Sequence, residues 1–271
     1  MKAPRFYLSC FLAAFMGSFA FAQHASAEDQ TAEVQPVQEG ADRWHVIVSP
    51  RYEESIFIPH LTASSYGAMN VGGATVFLVA PDPRFAVSGN VMIGNGDVHY
   101  IDAQRTGSLL AYNIQRYDGS VEVVYTPRES SIRFIGGVRY VYLKFHEQNQ
   151  QIAFDSHYDN KLLVAEFGAL LLAKLTPESR HEFSAQALAG VGYGSYGENT
   201  TGTGMVSTSG LGLTGEFSLG YSYRVSSRLG LGVRGRLFLF VTQPYGGRLK
   251  NQFGERAGLA VGPELKLDYA F

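Results

Sequence analysis

Over the last sixteen residues, Arg256–Phe271, polarity alternates one residue at a time. Odd positions carry Ala257, Leu259, Val261, Pro263, Leu265, Leu267, Tyr269 and Phe271, while even positions carry Arg256, Gly258, Ala260, Gly262, Glu264, Lys266, Asp268 and Ala270. A period of two places every second side chain on the same face of a strand. One face is therefore apolar along its length and the other is small or charged, so this strand separates two environments.

The pattern recurs upstream. Leu229–Val241 sets Leu231, Val233, Leu237 and Leu239 against Gly230, Gly232, Arg234, Arg236, Phe238 and Phe240. Leu211–Val225 opposes Leu213, Phe217, Leu219 and Tyr221 to Thr214, Glu216 and Ser218. Glu182–Tyr193 opposes Phe183, Ala187 and Val191 to Glu182, Gln186 and Gly190, and Leu162–Leu175 opposes Leu163, Phe167 and Leu171 to Glu166, Gly168 and Lys174. Ile132–Lys144 sends Phe134, Val138 and Tyr140 away from Arg133, Gly137 and Arg139, and Leu109–Tyr125 pairs Tyr117, Val121 and Val123 against Arg116, Asp118, Ser120 and Glu122. Phe85–Gly94, Trp44–Tyr52 and the weakly patterned Ala74–Ala80 bring the number of strands to ten, with eight as the rival count.

Tight links rich in Pro, Ser and Asp are expected at Pro81-Asp82-Pro83, Thr126–Ser130, Thr176–Arg180 and Ser226-Ser227. Longer links are expected at Glu53–Gly72, Asn95–Gly107, His146–Asn160, Gly197–Ser209 and Thr242–Gly254. Strict alternation of short and long connections between an even number of strands predicts an all-β fold, a transmembrane antiparallel up-and-down β-barrel. A sandwich would bury the apolar faces against a second sheet and would not require that alternation.

Composition fits this reading. Mean hydropathy is −0.04, as expected when half of every strand faces inward. A charged start with Lys2 and Arg5, the apolar run Phe6–Ala22 and the small-residue sites Ala20-Phe21-Ala22 and Ala25-Ser26-Ala27 predict a cleaved signal over residues 1–27. The polar, acidic stretch Glu28–Asp42 reads as a disordered periplasmic lead-in, and Arg43–Phe271 as the barrel. The lone Cys10 lies inside the signal, so no disulfide or thiol chemistry is expected of the barrel. The signal contains two of the 22 basic residues, which leaves 20 against 24 acidic ones, and no basic patch points to nucleic acid.

Chemistry could reside on the inward row, where acids and bases face one another. Pairing the strands about their turns sets Asp118 opposite Arg139, Arg139 opposite Glu166, Lys174 opposite Glu182, and Arg234 near both Glu216 and Glu264. With Glu122, Arg133 and Arg236 these residues form the expected lumen charge network. An unpaired charge in a narrow lumen costs several kcal/mol, so a structural, charge-paired filling is expected ahead of a charged constriction that passes small solutes. Inward glycines such as Gly190, Gly192, Gly212, Gly230, Gly232, Gly258 and Gly262 favour the pore by removing bulk.

Other motifs carry less. Gly230–Gly235 and Gly210–Gly215 match the dinucleotide-binding glycine spacing but lie within strands, with no helix to present its amino terminus to phosphate. Asn199-Thr200-Thr201 is a glycosylation sequon without weight in a bacterium. His99 beside Asp97 and Asp102, and His157 between Asp155 and Asp159, fall near expected external loops. An Asp–His pair activates water, yet no third residue has the spacing of a metal site. No catalytic set, metal or cofactor is expected, and the chain reads as non-enzymatic.

The aromatic carboxy terminus, with Leu265, Leu267, Tyr269 and Phe271 on one face, resembles the closing strand of bacterial outer-membrane β-barrels. That resemblance implies outer-membrane lipid around the barrel and recognition of this strand by the insertion machinery. Phe134-Ile135-Gly136-Gly137-Val138-Arg139-Tyr140 is similar to the Gly-Gly-x-Arg-Tyr strand of the Legionella major-porin-like group and of planctomycete outer-membrane barrels. Over Ser131–Phe271 this implies a surface barrel without a cofactor, porin-like or structural. Asp155-Ser156-His157 faintly resembles the Asp-x-His segment of omptin-type outer-membrane proteases, whose partner Asp-x-Asp pair is missing here. A protease or an adhesin acting through the external loops is the alternative.

Overall fold

The computed structural model describes residues 44–58, 65–102, 108–128, 130–149, 154–176, 178–200, 204–244 and 257–271. The expected signal and lead-in lie outside them. Ten strands run in chain order: β1 (His45–Ile58), β2 (Ser65–Val79), β3 (Phe85–Asp102), β4 (Ser108–Tyr125), β5 (Ile132–Asn149), β6 (Phe154–Lys174), β7 (His181–Thr200), β8 (Gly204–Arg224), β9 (Leu229–Pro244) and β10 (Ala257–Ala270). Each pairs antiparallel with its sequence neighbours, and β1 pairs with β10 to close the barrel. The weak Ala74–Ala80 segment is part of the full strand β2, so the count is ten, not eight.

The start of β1 and the end of β10 lie at one end of the barrel, the terminal end, where Ile47 is in register with Ala270. Tight connections turn the chain there through local hydrogen bonds. Phe85 N–H donates to the Asp82 carbonyl at 3.0 Å. The hydroxyls of Ser130, Ser179 and Ser226 accept from the N–H groups of Ile132, His181 and Arg228 at 3.0, 3.0 and 3.2 Å, the short-range bonding that suits Ser to turns. In the first turn, hydrogen bonds from Arg84 hold the Asp82 carboxyl down at about 2. That ion pair is solvent-exposed and adds little to stability.

At the opposite, distal end the structure corrects the expected long loops. β1 and β2 extend through most of Glu53–Gly72, and the ladders of β3, β5, β6, β7 and β8 extend into the other three inner intervals. What separates consecutive strands there is 59–64, 103–107, 150–153 and 201–203, no longer than the terminal-end turns. Only the interval before β10, residues 245–256, is long. Described outward residues of these extensions such as Glu54, Asn70, Asp97, His157 and Asp159 are polar, which from sequence alone looks like loop; in water a paired strand carries them without cost.

The outward face shows where lipid ends. Between the two ends it is a continuous apolar surface that includes Val91, Val121, Phe134, Val138, Leu163, Phe167, Val191 and Leu265, all well exposed. A belt of this extent is incompatible with water and belongs in hydrocarbon. Aromatic residues edge it: Trp44, Phe85, Tyr125, Tyr269 and Phe271 at the terminal end, and Tyr52, Tyr117, Tyr140 and Tyr193 toward the distal end. Phe183 and Tyr193 on β7 are ten residues apart; at ~3.3 Å per residue and a tilt of ~40° this spans roughly 25 Å, the height of a lipid-facing band.

Beyond the distal girdle the pattern inverts. On β5 the inward residues become Val141, Leu143 and Phe145, all buried, while Lys144 points outward and is exposed. On β6 Leu162 and Val164 turn inward while His157, Asp159 and Lys161 turn outward. These two strands thus change from apolar-out to apolar-in along their own length. The distal part is built like a barrel in water, the lower part like one in lipid.

Glycine permits the close approaches this packing needs. A Cβ on Gly258 would lie 2.2 Å from the Phe240 ring, and one on Gly262 would lie 2.0 Å from the Glu54 carbonyl oxygen across the β1–β10 seam. These two inward glycines therefore seat their neighbours and do not widen the bore. By contrast, a Cβ on the outward Gly72 meets nothing within 4 Å. Gly262→Ala is expected to destabilise the barrel by roughly 1–3 kcal/mol or more, because backbone must move, and Gly72→Ala to leave it unchanged. Urea titrations in lipid vesicles will separate them; equal midpoints would contradict the seam packing.

Candidate functional site

The inward side chains form stacked layers across the bore. In the central layer five arginines (Arg51, Arg116, Arg139, Arg234, Arg236) meet five carboxylates (Glu53, Asp118, Glu166, Glu216, Glu264) among the described residues. Arg139 is the hub. Its Nε and Nη2 donate to Asp118 at 2.7 and 2.6 Å, and its Nη1 donates to Glu216 at 2.9 Å and to Glu166 at 3.3 Å. Arg236 joins Glu53 and Glu216 at 2.6 and 2.7 Å. Arg116 donates to Asp118 at 2.5 Å. Glu264 accepts from Arg51 and Arg234, at 2.5 and 3.0 Å to its Oε2. Equal numbers of the two signs are what a nearly dry bore demands, since a surplus charge there would be unscreened.

One aromatic ring ties this layer to the next. The guanidinium carbons of Arg139, Arg116 and Arg236 lie 4.4, 4.7 and 5.2 Å from the centroid of Phe238. On the distal side of Phe238 the bore is filled by an apolar plug that includes Phe57, Met69, Val71, Met92, Ile114, Val141, Leu143, Leu162, Val164 and Phe240. Phe240 stacks on Phe57 with ring centroids 6.0 Å apart. Thr242 donates to Asn160 at 2.6 Å above the plug. Nine strands contribute a buried inward side chain to these layers, from Phe57 on β1 through Glu216 on β8 to Ala260 on β10, and β7 passes them on Gly190, Gly192 and Gly194, where an added Cβ would lie 2.2, 2.2 and 2.9 Å from Thr214, the Leu163 carbonyl oxygen and Thr242. An aqueous channel at this level would have to expose the inward residues of some strand.

Of the eleven charged residues expected in the lumen, the structure brings seven into the central layer: Asp118, Arg139, Glu166, Glu216, Arg234, Arg236 and Glu264. The other four sit nearer the terminal mouth. Glu122 accepts from Ser120 and Ser88 at 2.6 and 3.2 Å. Arg133, Lys174 and Glu182 line a recess of about 390 Å³ at that mouth, with Lys174 and Glu182 in register. Between mouth and charge layer lies a small apolar cluster of Val124, Ile135 and Leu188.

Three expected pairings need correction. Arg139 is in register with Ser120 and Val164, two residues from Asp118 and Glu166, and reaches both diagonally. Arg234 bonds Glu264 and Gln186, and Glu216 is held instead by Arg139 and Arg236. A long guanidinium stem bridges the two-residue offset that sequence pairing alone cannot resolve. The sequence reading also lacks Arg51, Glu53 and Arg116 as network members. Glu53 falls within an expected loop and Arg51 on a short first strand; the signal for Arg116 was its place on the inward row.

Of the two histidines read from sequence, His157 lies on the outer surface. His157 stacks on His146 with ring centroids 4.2 Å apart, and Asp159 pairs with Lys161 at 3.0 Å. The side chains of His99, Asp102 and Asp155 lie outside the described residues. In the closing strand, Leu265, Leu267, Tyr269 and Phe271 all point outward, Tyr269 and Phe271 pack edge to face, and Phe271 N–H donates to the Val46 carbonyl at 3.0 Å.

No protein-family model and no curated protein sequence matches the chain. Among solved structures, the barrel is similar to the translocator domain of the autotransporter NalP from Neisseria meningitidis, with 12% identity over 97% of each chain and a TM-score of 0.48. It is also similar to the outer-membrane protease OmpT from Escherichia coli, with 10% identity, coverage of 86% of this chain and 98% of that one, and a TM-score of 0.46. A major outer membrane protein from Thermus thermophilus gives 13% identity, coverage of 83% and 99%, and a TM-score of 0.41. The chain is a β-barrel of the outer-membrane type, with a buried charge network across its bore.

Proposed function

We propose that this chain is a non-enzymatic barrel of a bacterial outer membrane whose bore is sealed, and that it works as a structural or binding element of the cell surface. The observation that carries this reading is the pair of buried layers to which nine strands contribute an inward side chain, while β7 passes them on glycines packed closely against their neighbours. Charges paired with charges, and an aromatic plug above them, occupy the bore at these two levels. The lipid-facing belt and the two aromatic girdles support the membrane setting. The terminal end then faces the periplasm, where both chain ends of such barrels lie, and the water-compatible distal strands project outward. The outward row Leu265, Leu267, Tyr269 and Phe271 is the surface that the insertion machinery would read.

The test is conductance. In planar bilayers the purified barrel is expected to give no discrete steps, whereas Phe238→Ala/Phe240→Ala, which removes the two largest rings of β9 from the bore, is expected to give small ones. Steps from the parent protein would return the passive-pore reading. Cleavage of added peptides by the parent protein, lost in His157→Ala, would return the protease reading.

A further inference from the structure

The outer surface above the distal girdle is not uniform. Among the strand residues whose side chains are described, the outward-facing basic ones of the distal half are Lys144 and His146 on β5 and His157 and Lys161 on β6. They share one hairpin. Strand register arranges them with β4 in three rungs: Tyr117, Tyr142 and Lys161 lowest, then Gln115, Lys144 and Asp159, then Asn113, His146 and His157.

The lowest rung is the aromatic edge of the lipid belt. Tyr117 and Tyr142 stack at 5.9 Å, and the Lys161 ammonium lies 5.3 Å from the Tyr142 ring centroid. Directly above is a hollow of about 100 Å³ lined by Asn113, Gln115, Lys144, His146 and His157. Roughly three waters at ~30 Å³ each would fill it. Two carboxylates lie nearby and both are engaged: Asp159 by Lys161 at 3.0 Å, and Asp97 by the Asn113 amide at 3.4 Å. Lys144 is exposed and takes part in none of the ion pairs described above.

The lining is rich in donors. An ammonium offers three, each side-chain amide two, and each imidazole at least one in either tautomer. A compact anion with several acceptor oxygens matches that set, and charge-assisted bonds to it are the strong ones. The hollow's height selects the source, because a group one rung above an aromatic girdle sits at the level of lipid headgroups. We propose that this hollow binds the phosphate of an anionic lipid headgroup, held by Lys144 with the two imidazoles and the Asn113 and Gln115 amides, while the acyl chains lie on the belt below. This rests on the membrane reading given above.

The experiment reconstitutes the full barrel in nanodiscs of phosphatidylcholine and phosphatidic acid and measures by native mass spectrometry which lipid stays bound. The parent protein is expected to retain phosphatidic acid over phosphatidylcholine by at least about tenfold, each tenfold being one decade in Kd. Lys144→Gln/His146→Gln/His157→Gln should lose that preference, Lys144→Arg should keep it, and Arg228→Gln in a terminal-end turn should not alter it. Equal retention of the two lipids by the parent, or an unchanged preference in the triple variant, overturns the proposal while leaving the membrane reading intact. Loss of the preference when inorganic phosphate is added overturns the lipid assignment in favour of a free anion. If no protein enters pure phosphatidylcholine discs, the membrane reading fails and this site fails with it.

Discussion

Arg139→Met is expected to lower the stability of the barrel by about 3–5 kcal/mol, the usual cost of stripping one partner from a buried ion pair. The loss falls unevenly on its three acidic neighbours. Asp118 keeps Arg116 at 2.5 Å and Glu216 keeps Arg236 at 2.7 Å. Glu166 keeps only the Thr214 hydroxyl at 2.9 Å, and its Oε2 already lacks a hydrogen-bond partner. Glu166 is therefore the charge left without compensation. Adding Glu166→Gln to Arg139→Met restores equal numbers of acids and bases in the layer and should recover half or more of the loss, a coupling that a double-mutant cycle measures directly. The readout is a urea titration in lipid vesicles followed by the fluorescence of Trp44, the single tryptophan. If both single variants and the double are equally destabilised, the damage comes from lost packing and not from the orphaned carboxylate.

The lipid-facing half of this molecule is legible in the sequence because its two faces differ so strongly. Phe134, Val138 and Tyr140 alternate with Arg133, Gly137 and Arg139, and that contrast survives any error in register. The distal half is hidden because there the alternation changes phase. Where β6 leaves the hydrocarbon, Leu162 faces the plug and Leu163 the lipid, so the two patterns overlap as the unbroken apolar run Leu162-Leu163-Val164. Past it, His157 and Asp159 read as loop because a polar outward face removes the contrast with an expected polar interior. Tyr140–Leu143 on β5 carries the same overlap. Short doubly apolar runs at the far end of an alternating strand are thus the sequence mark of the bilayer surface. The charge network is legible as membership more than as partnership. Parity alone puts Glu216 and Arg236 inside, but which guanidinium reaches which carboxylate depends on stems long enough to cross a rung.

The plug has its own decisive residue. Phe238 packs beneath the apolar layer, with ring centroids 6.2 Å from Phe240, and receives three guanidinium groups, the nearest 4.4 Å from its centroid. Phe238→Ala removes both contributions. Emptying a buried phenylalanine site costs about 3–5 kcal/mol, and arginines that lose the ring also lose about 0.5–2 kcal/mol each. That second part matters here because Arg116 Nε and Arg236 Nε have no hydrogen-bond partner, while the two guanidinium carbons lie 4.7 and 5.2 Å from the ring centroid. Phe238→Leu separates the two effects. It keeps most of the apolar volume and removes the π face, so it should lie between the parent and the alanine variant, with the remaining deficit abolished when Arg116→Met is added. The same titration reads all three. If leucine proves as stable as phenylalanine, the ring serves as filler alone, and the guanidinium cluster is held by its carboxylates without help from the plug.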